Sequence, residues 1–169
     1  MTTVVILAGG KSERMGQDKA LILGGVERIQ KLVNQIGEYR IITLCGDKER
    51  EPLFSGEVWP DPINCDCLAR VIDWVIEKID DDILFVPCDM YNLGIDGLTQ
   101  LMVQPNCVAV DEKEVRQPLL CHISDKSLLR NSKTLSEKFA NFPSIECLDF
   151  VNQYSNFNYQ EDLIDHLLQ

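Results

Sequence analysis

A continuous apolar run, Val4, Val5 and Ile6, opens directly into LAGGKSERMGQDK, residues 7–19, and this strand followed by a glycine-rich loop constrains the chain more than any other stretch. Gly9, Gly10 and Gly16 can adopt the positive φ angles that turn successive backbone N–H groups into one concavity, and they carry no Cβ to hold an anion away. Arg14 and Lys19 supply one fork-shaped and one point-like cation, the complement a polyphosphate needs beyond backbone amides. Two familiar phosphate loops are excluded by spacing. A Walker A loop has glycine six residues before its lysine, where this chain has Val5 before Lys11 and Glu13 before Lys19. A dinucleotide fingerprint has glycine first, third and sixth; counting from Gly9 gives Lys11 and Arg14, and from Gly10 gives Ser12 and Met15.

Beyond the loop, strand-like and helical patterns alternate. Strands are expected over 3–8, 40–45, 83–86, 107–110, 119–123 and 145–148. A helix is expected over 26–36, where Val26, Ile29, Val33 and Ile36 share one face, and another over 68–79, where Leu68, Val71, Ile72, Val75, Ile76 and Ile79 do the same. Further helices are expected over 97–103 and 160–168, with two short ones near 124–131 and 134–140. Such alternation implies parallel β-α-β units, so the expected class is α/β, a three-layer, doubly wound and mostly parallel sheet of Rossmann type. No repeat, linker or composition break marks a second domain, and 169 residues at 45% hydrophobic content can bury the core of one domain spanning 1–169.

The formal charge of −11 argues against duplex nucleic acid as a partner, since neutralising phosphates needs a basic face. The few cations must therefore act locally. No apolar run approaches the roughly 20 residues of a membrane helix. Met1, Thr2 and Thr3 lead straight into the first strand, which predicts no signal peptide, no membrane and a cytoplasmic protein. Of seven cysteines, Cys45, Cys88, Cys107, Cys121 and Cys147 lie in or beside strand-like runs and read as small core residues in a reducing compartment. Cys65 and Cys67 form the one close pair, and the lack of a second pair at zinc spacing argues against a structural zinc site.

Ligands of doubly wound sheets sit beyond the carboxyl ends of the strands. The glycine loop leaves the first strand there, and Pro87, Cys88, Asp89 and Met90 leave a later one in the same way. A strand-end carboxylate facing phosphates suits Mg²⁺, which takes one or two carboxylates together with phosphate oxygens; it equally suits capping of the next turn, and the residues alone leave both readings open. Asp61 followed by Pro62 is on its own an ordinary turn signal.

The string at 7–19 resembles the signature of the molybdenum-cofactor nucleotidyltransferases, particularly the MobA-type guanylyltransferases. These open with Leu-Ala-Gly-Gly, then Ser, Arg-Met-Gly and Asp-Lys at the spacing of Leu7, Ala8, Gly9, Gly10, Ser12, Arg14 to Gly16, Asp18 and Lys19. Cytidylyltransferases of the same cofactor tend to have alanine in place of Gly9 and to lack the aspartate before Lys19, so the match leans towards GTP. Sugar-1-phosphate nucleotidyltransferases place their lysine farther on and fit less well. The family also has Pro-Cys-Asp-Met at its metal aspartate, matching Asp89; an acidic residue that helps hold the nucleotide, matching Asp61; and Asn-x-Asn ahead of Glu-Asp-Leu, matching Asn156, Asn158, Glu161, Asp162 and Leu163. Arg116 to Leu119 resemble the stretch that frames its acceptor pocket. One region departs: Gly-Pro-Leu-Ala-Gly is replaced by Asp66, Cys67, Leu68, Ala69 and Arg70, and Cys45 to Asp47 lack the usual asparagine. Arg70, in the first turn of a helix, is expected to face solvent, because a cation there opposes the helix dipole.

What the resemblance implies is a GT-A-like nucleotidyltransferase fold and transfer of GMP from GTP to the phosphate of molybdopterin, with pyrophosphate released. It assigns Lys19, Arg14 and Asp89 to catalysis and Asp89 to Mg²⁺. Leu7, Ala8, Gly9, Gly10, Lys19, Asp61 and Asp89 would bind the nucleotide, and Asn156 and Asn158 the acceptor. The implied partners are GTP, molybdopterin or the molybdenum cofactor, and other proteins of the cofactor pathway in transient contact. The alternatives are a relative using CTP or another acceptor, and a non-catalytic nucleotide-binding module, against which the retention of Lys19 and Asp89 speaks.

Overall fold

The computed structural model of the chain describes residues 1–10, 18–145 and 148–155. In chain order it builds β1 (Thr2–Leu7), α1 (Gly25–Ile36), β2 (Arg40–Gly46), β3 (Glu57–Pro60), α2 (Leu68–Lys78), β4 (Asp82–Pro87), α3 (Ile95–Val103), β5 (Cys107–Val110), β6 (Arg116–Ile123) and α4 (Leu135–Lys138). Short 3-10 helices occupy Ile22–Gly24, Lys48–Leu53, Lys126–Leu128 and Leu148–Tyr154. The strands form one six-stranded sheet in the order β3-β2-β1-β4-β6-β5. β1 pairs in parallel with β2 and β4, and β2 with β3, while β6 runs antiparallel to both β4 and β5.

The layering follows from the period of two along each strand. Val4 and Ile6 of β1, with Leu84 and Val86 of β4, point into one core with Val26, Ile29 and Val33 of α1 and Leu98 and Leu101 of α3. Val5, Ile83 and Phe85 point to the opposite core, where Val71, Ile72, Val75 and Ile76 of α2 meet Phe139 and Phe142 beyond α4. Both faces of the central strands are covered, which explains their unbroken apolar runs. Ile72 is wholly buried, so Ile72→Ala would cost about 3 kcal/mol. α1 begins on a glycine for a steric reason: a Cβ on Gly25 would stand 2.4 Å from the Ala20 carbonyl oxygen. No helix of the described residues is long and apolar enough to cross a membrane.

Several elements depart from expectation. β3 is a four-residue edge strand, too short for a periodic signal, stitched to β2 by the Arg40–Glu57 pair at 2.7 Å. β6 starts at Arg116, three residues before the expected run, because its polar opening is anchored sideways: Arg116 donates to the Phe139 and Phe142 carbonyls. The expected strand at 145–148 does not form among the described residues. Ser144 makes a single bridge to Val108, Ile145 is outside any strand, and a 3-10 helix begins at 148. That helix docks its glutamine on α3: Gln153 Oε1 accepts from the Gly94 and Gly97 amides at 2.9 and 3.1 Å, capping the helix start that Gly94 has no side chain to cap. The closing helix expected over 160–168 lies outside the described residues, as does Cys147. Cys45, Cys88, Cys107 and Cys121 are buried as expected, and Cys65 and Cys67 are half-exposed; all six are free thiols.

Candidate active site

Because β1, β2 and β4 run in parallel, their carboxyl ends share one edge of the sheet, and a crevice of about 660 Å³ opens there. Leu7, Ala8, Gly9 and Gly10 form its floor, and Lys19, Asp61 and Asp89 reach into it. Gln117, Pro118 and Leu119 at the start of β6 close one side, and Asp66, Cys67 and Leu68 at the start of α2 close another. The N-terminus of α2, which has no side-chain cap, thus borders the crevice and favours an anion in it. Arg14, Gly16, Asn156 and Asn158 lie outside the described residues.

At the centre, Lys19 and Asp89, 70 residues apart in sequence, meet with Nζ 2.9 Å from Oδ2. Their side chains retain only 15% and 14% of their exposure, so the pair is shielded yet open to the crevice. The Asp89 end is rigid. It follows β4 directly, the Cys88 amide donates to the Leu7 carbonyl at 3.0 Å, and the Arg28 guanidinium of α1 donates to the Met90 and Leu93 carbonyls of the turn. From that turn Tyr91 donates its hydroxyl to the Lys19 carbonyl at 2.7 Å, so residues 89 and 91 hold Lys19 at both its ammonium and its backbone. Burial pushes the Cys88 thiol up to about 12, which leaves it a packing residue rather than a nucleophile.

Asp61 follows β3, and its amide donates to the Gly46 carbonyl at 2.8 Å, tying it to the end of β2. Burial raises its carboxyl above the ordinary aspartate range; Asp47 reinforces this and Arg50 opposes it. Gly9 and Gly46 let the ends of β1 and β2 approach beside it, since a Cβ on Gly9 would stand 3.3 Å from the Gly46 α-carbon. Asp18 accepts from the Ala20 amide on one oxygen and from Arg50 on the other. Sequence reasoning passed over Arg50, Tyr91 and Gly46. Their hydrogen bonds and close approach are contacts between segments distant in sequence, and no local pattern announces them.

The departing turn at 66–70 is settled away from the crevice at one end. Arg70 pairs with Asp73 at 3.3 Å and donates to Asn131 at 3.2 Å, outside the crevice lining, while Asp66 pairs with Lys133 at 3.0 Å. Cys67 and Asp66 do line the crevice, so two side chains stand where the resembling family has small residues.

A protein from Aquifex aeolicus VF5 superposes with a TM-score of 0.70 at 17% identity, over 92% of this chain and 92% of its own. A nucleotidyl transferase from Methanothermobacter thermautotroptrophicus superposes with a TM-score of 0.64 at 15% identity, over 99% and 98%. At these identities the likeness concerns the fold, an α/β fold shared with a nucleotidyl transferase. In sequence, the chain is 34% identical over 119 residues to a molybdenum cofactor guanylyltransferase from Xanthomonas euvesicatoria pv. vesicatoria (strain 85-10); the match takes in 66% of this chain and 60% of that relative's length. Residues 4–141, which carry the floor of the crevice, Lys19, Asp61 and Asp89, match the description MobA-like NTP transferase domain, and the chain belongs to that family.

Proposed function

We propose that this protein transfers GMP from GTP to the phosphate of molybdopterin and releases pyrophosphate, working as one domain in the cytoplasm. The observation that carries this reading is the meeting of Lys19 and Asp89 over a glycine floor, inside a crevice, in a chain of the MobA-like NTP transferase family. The name of the Xanthomonas relative supports the choice of substrates.

The donor set fits a hard divalent cation. Among the described residues no group of three His, Cys, Asp or Glu side chains could enclose a metal unaided, so Asp89 would hold Mg²⁺ with phosphate oxygens and water completing its shell, as magnesium favours. When bound, the cation supplies neutralisation of phosphate charge. The chain's own groups do the rest. The Gly9 and Gly10 amides and the Lys19 ammonium face the nucleotide phosphates, and Asp61 helps hold the nucleotide at the β2 side. The acceptor's phosphate oxygen, already ionised at neutral pH, attacks the α-phosphorus in line, the bond to the bridging oxygen breaks, and pyrophosphate departs with that electron pair. No general base is needed, so positioning and charge stabilisation carry the rate. For Arg14, Asn156 and Asn158 the support is the sequence resemblance.

The test is a panel of GTP, CTP, ATP and UTP with molybdopterin and Mg²⁺, scored by pyrophosphate release. GTP is expected to be preferred. Preference for CTP would redirect the reading to a cytidylyl transfer, and no release from any nucleotide, with binding retained, would favour a non-catalytic module.

A further inference from the structure

We propose that Arg50 is a positioning residue: it fastens the carboxyl ends of β1 and β2 to Asp18 and so fixes the backbone on which Lys19 is presented to the crevice. Arg50 lies in the 3-10 helix that follows β2. One guanidinium nitrogen, Nη1, donates to the Ala8 carbonyl at 2.5 Å and to the Cys45 carbonyl at 2.6 Å; the other, Nη2, donates to Asp18 Oδ2 at 2.6 Å. The guanidinium also sits 5.6 Å from the Phe54 ring centroid. These are short, shielded, charge-assisted bonds on three acceptors drawn from three segments of chain. The acceptors are divided between two separate nitrogens of one planar fork, whereas a lysine ammonium would have to reach them all from a single point.

The geometry says what the clamp is for. Asp18 is held on both oxygens, by Arg50 and by the Ala20 amide at 3.0 Å, and Lys19 is the residue between these anchors. Tyr91 secures the Lys19 carbonyl from the other side. Arg50 itself is not among the residues that line the crevice, and its two terminal nitrogens are engaged by the protein. Its charge therefore serves the frame, and the phosphates are left to Lys19.

The kinetic test rests on the nucleotidyl-transfer reading; a chemical test does not. Arg50→Ala is expected to lower kcat by about 10- to 100-fold with a smaller change in the KM for GTP, since misplacing a catalytic group by about an ångström costs that much. Arg50→Lys should not restore kcat, because it returns the charge without the fork. Asp18→Asn should lower kcat in the same direction, and the Arg50→Ala/Asp18→Asn double variant should be little worse than Arg50→Ala. Independently, alkylation of the free enzyme by N-ethylmaleimide, resolved by mass spectrometry, reads the clamp at Cys45, which is fully buried beside it, against Cys121, fully buried in β6. Arg50→Ala should raise the Cys45 rate about tenfold or more and leave Cys121 protected; where it unfolds the protein, Arg50→Lys takes its place in the same measurement. Recovery of kcat by lysine, an unchanged kcat, or an unchanged Cys45 rate would each overturn the proposal. A wild type that releases no pyrophosphate from any nucleotide would sink the functional reading alone, and the alkylation result would still decide the clamp.

Discussion

Gly9 and Gly46 approach backbone to backbone, so closely that a Cβ on Gly46 would stand 3.0 Å from the Gly9 α-carbon. Gly46 also has a φ of 77°. Gly46→Ala therefore meets two penalties, a left-handed backbone and a contact that β1 and β2 cannot relieve without parting, with about 2 kcal/mol or more expected in total. Gly56 is a control built into the chain: its φ is 84° but nothing lies within 4 Å of its would-be Cβ. Denaturant unfolding should find Gly46→Ala clearly more costly than Gly56→Ala. Equal losses would mean that the backbone angle alone matters and the close approach does not.

With Asp89 as the proposed Mg²⁺ ligand, its pairing with Lys19 predicts metal binding that depends on nucleotide. A lone carboxylate already paired with an ammonium at 2.9 Å is a poor site for Mg²⁺ until phosphate oxygens join it. Calorimetry should detect Mg²⁺ weakly or not at all in the free protein and readily with a non-hydrolysable GTP analogue. Lys19→Ala should cut turnover about 10²-fold, and Asp89→Asn should abolish metal-dependent turnover while the thermal transition stays nearly unchanged. Tight Mg²⁺ binding to the free protein, or normal turnover in either variant, would contradict this arrangement.

Lys19, twelve residues past the end of β1, was legible only through the loop string at 7–19. The glycine floor and Asp89 were legible because each sits at a strand end, where an apolar run breaks into Gly-Gly or Pro-Cys-Asp. The α/β class was legible for the same reason, from β1, β4 and the apolar faces of α1 and α2. What escaped was relational. β3 has four residues and no period to read, and the polar opening of β6 hides a strand whose anchors, the Phe139 and Phe142 carbonyls, lie more than 20 residues away. Arg50 reads as one charge in an acidic stretch until folding brings Ala8 and Asp18 to it. The apolar run near 145 resembled a strand, but among the described residues its pairing is the single bridge of Ser144 to Val108.

Asp61 should show a trade between stability and binding. Burial raises its folded pKa above the unfolded value of 3.8, so above that pH the unfolded chain gives up the proton more readily and ionisation favours unfolding. The penalty is absent in acid and grows as pH rises through the folded pKa. Asp61→Asn should therefore raise Tm at pH 7 and leave it unchanged at pH 3, while the KM for GTP rises about tenfold through loss of a charged hydrogen-bonding partner. A fall in Tm at pH 7 would show the carboxylate to be structural.

His122 gives the opposite dependence. It is buried in β6 with Nδ1 3.0 Å from the Leu101 carbonyl, which only accepts, so Nδ1 carries the proton of a neutral ring. Burial lowers its folded pKa below the ordinary 6.5. The unfolded chain thus takes up a proton near pH 6.5 that the folded chain refuses, and stability present above that pH is lost as pH falls below it. Thermal melts from pH 8 to pH 5 should show a decline that His122→Gln reduces; an identical decline in the variant would assign it to the carboxylates instead.

Lys138 of α4 has no exposed surface at all, and its ammonium lies 2.6 Å from Asp73 Oδ1 and 3.4 Å from the Arg130 carbonyl. A buried cation is tolerable only with such partners, because desolvating it unaided costs several kcal/mol. Removing Asp73 leaves the cation and removes its counter-charge, so Asp73→Ala should destabilise by about 3 kcal/mol. Lys138→Met removes the cation, keeps most of its volume and leaves the half-exposed Asp73 to water and Arg70, so it should be close to neutral. The double variant should recover most of the Asp73→Ala loss in urea unfolding. If Lys138→Met proves as costly as Asp73→Ala, the pair is a net source of stability and the desolvation argument fails here.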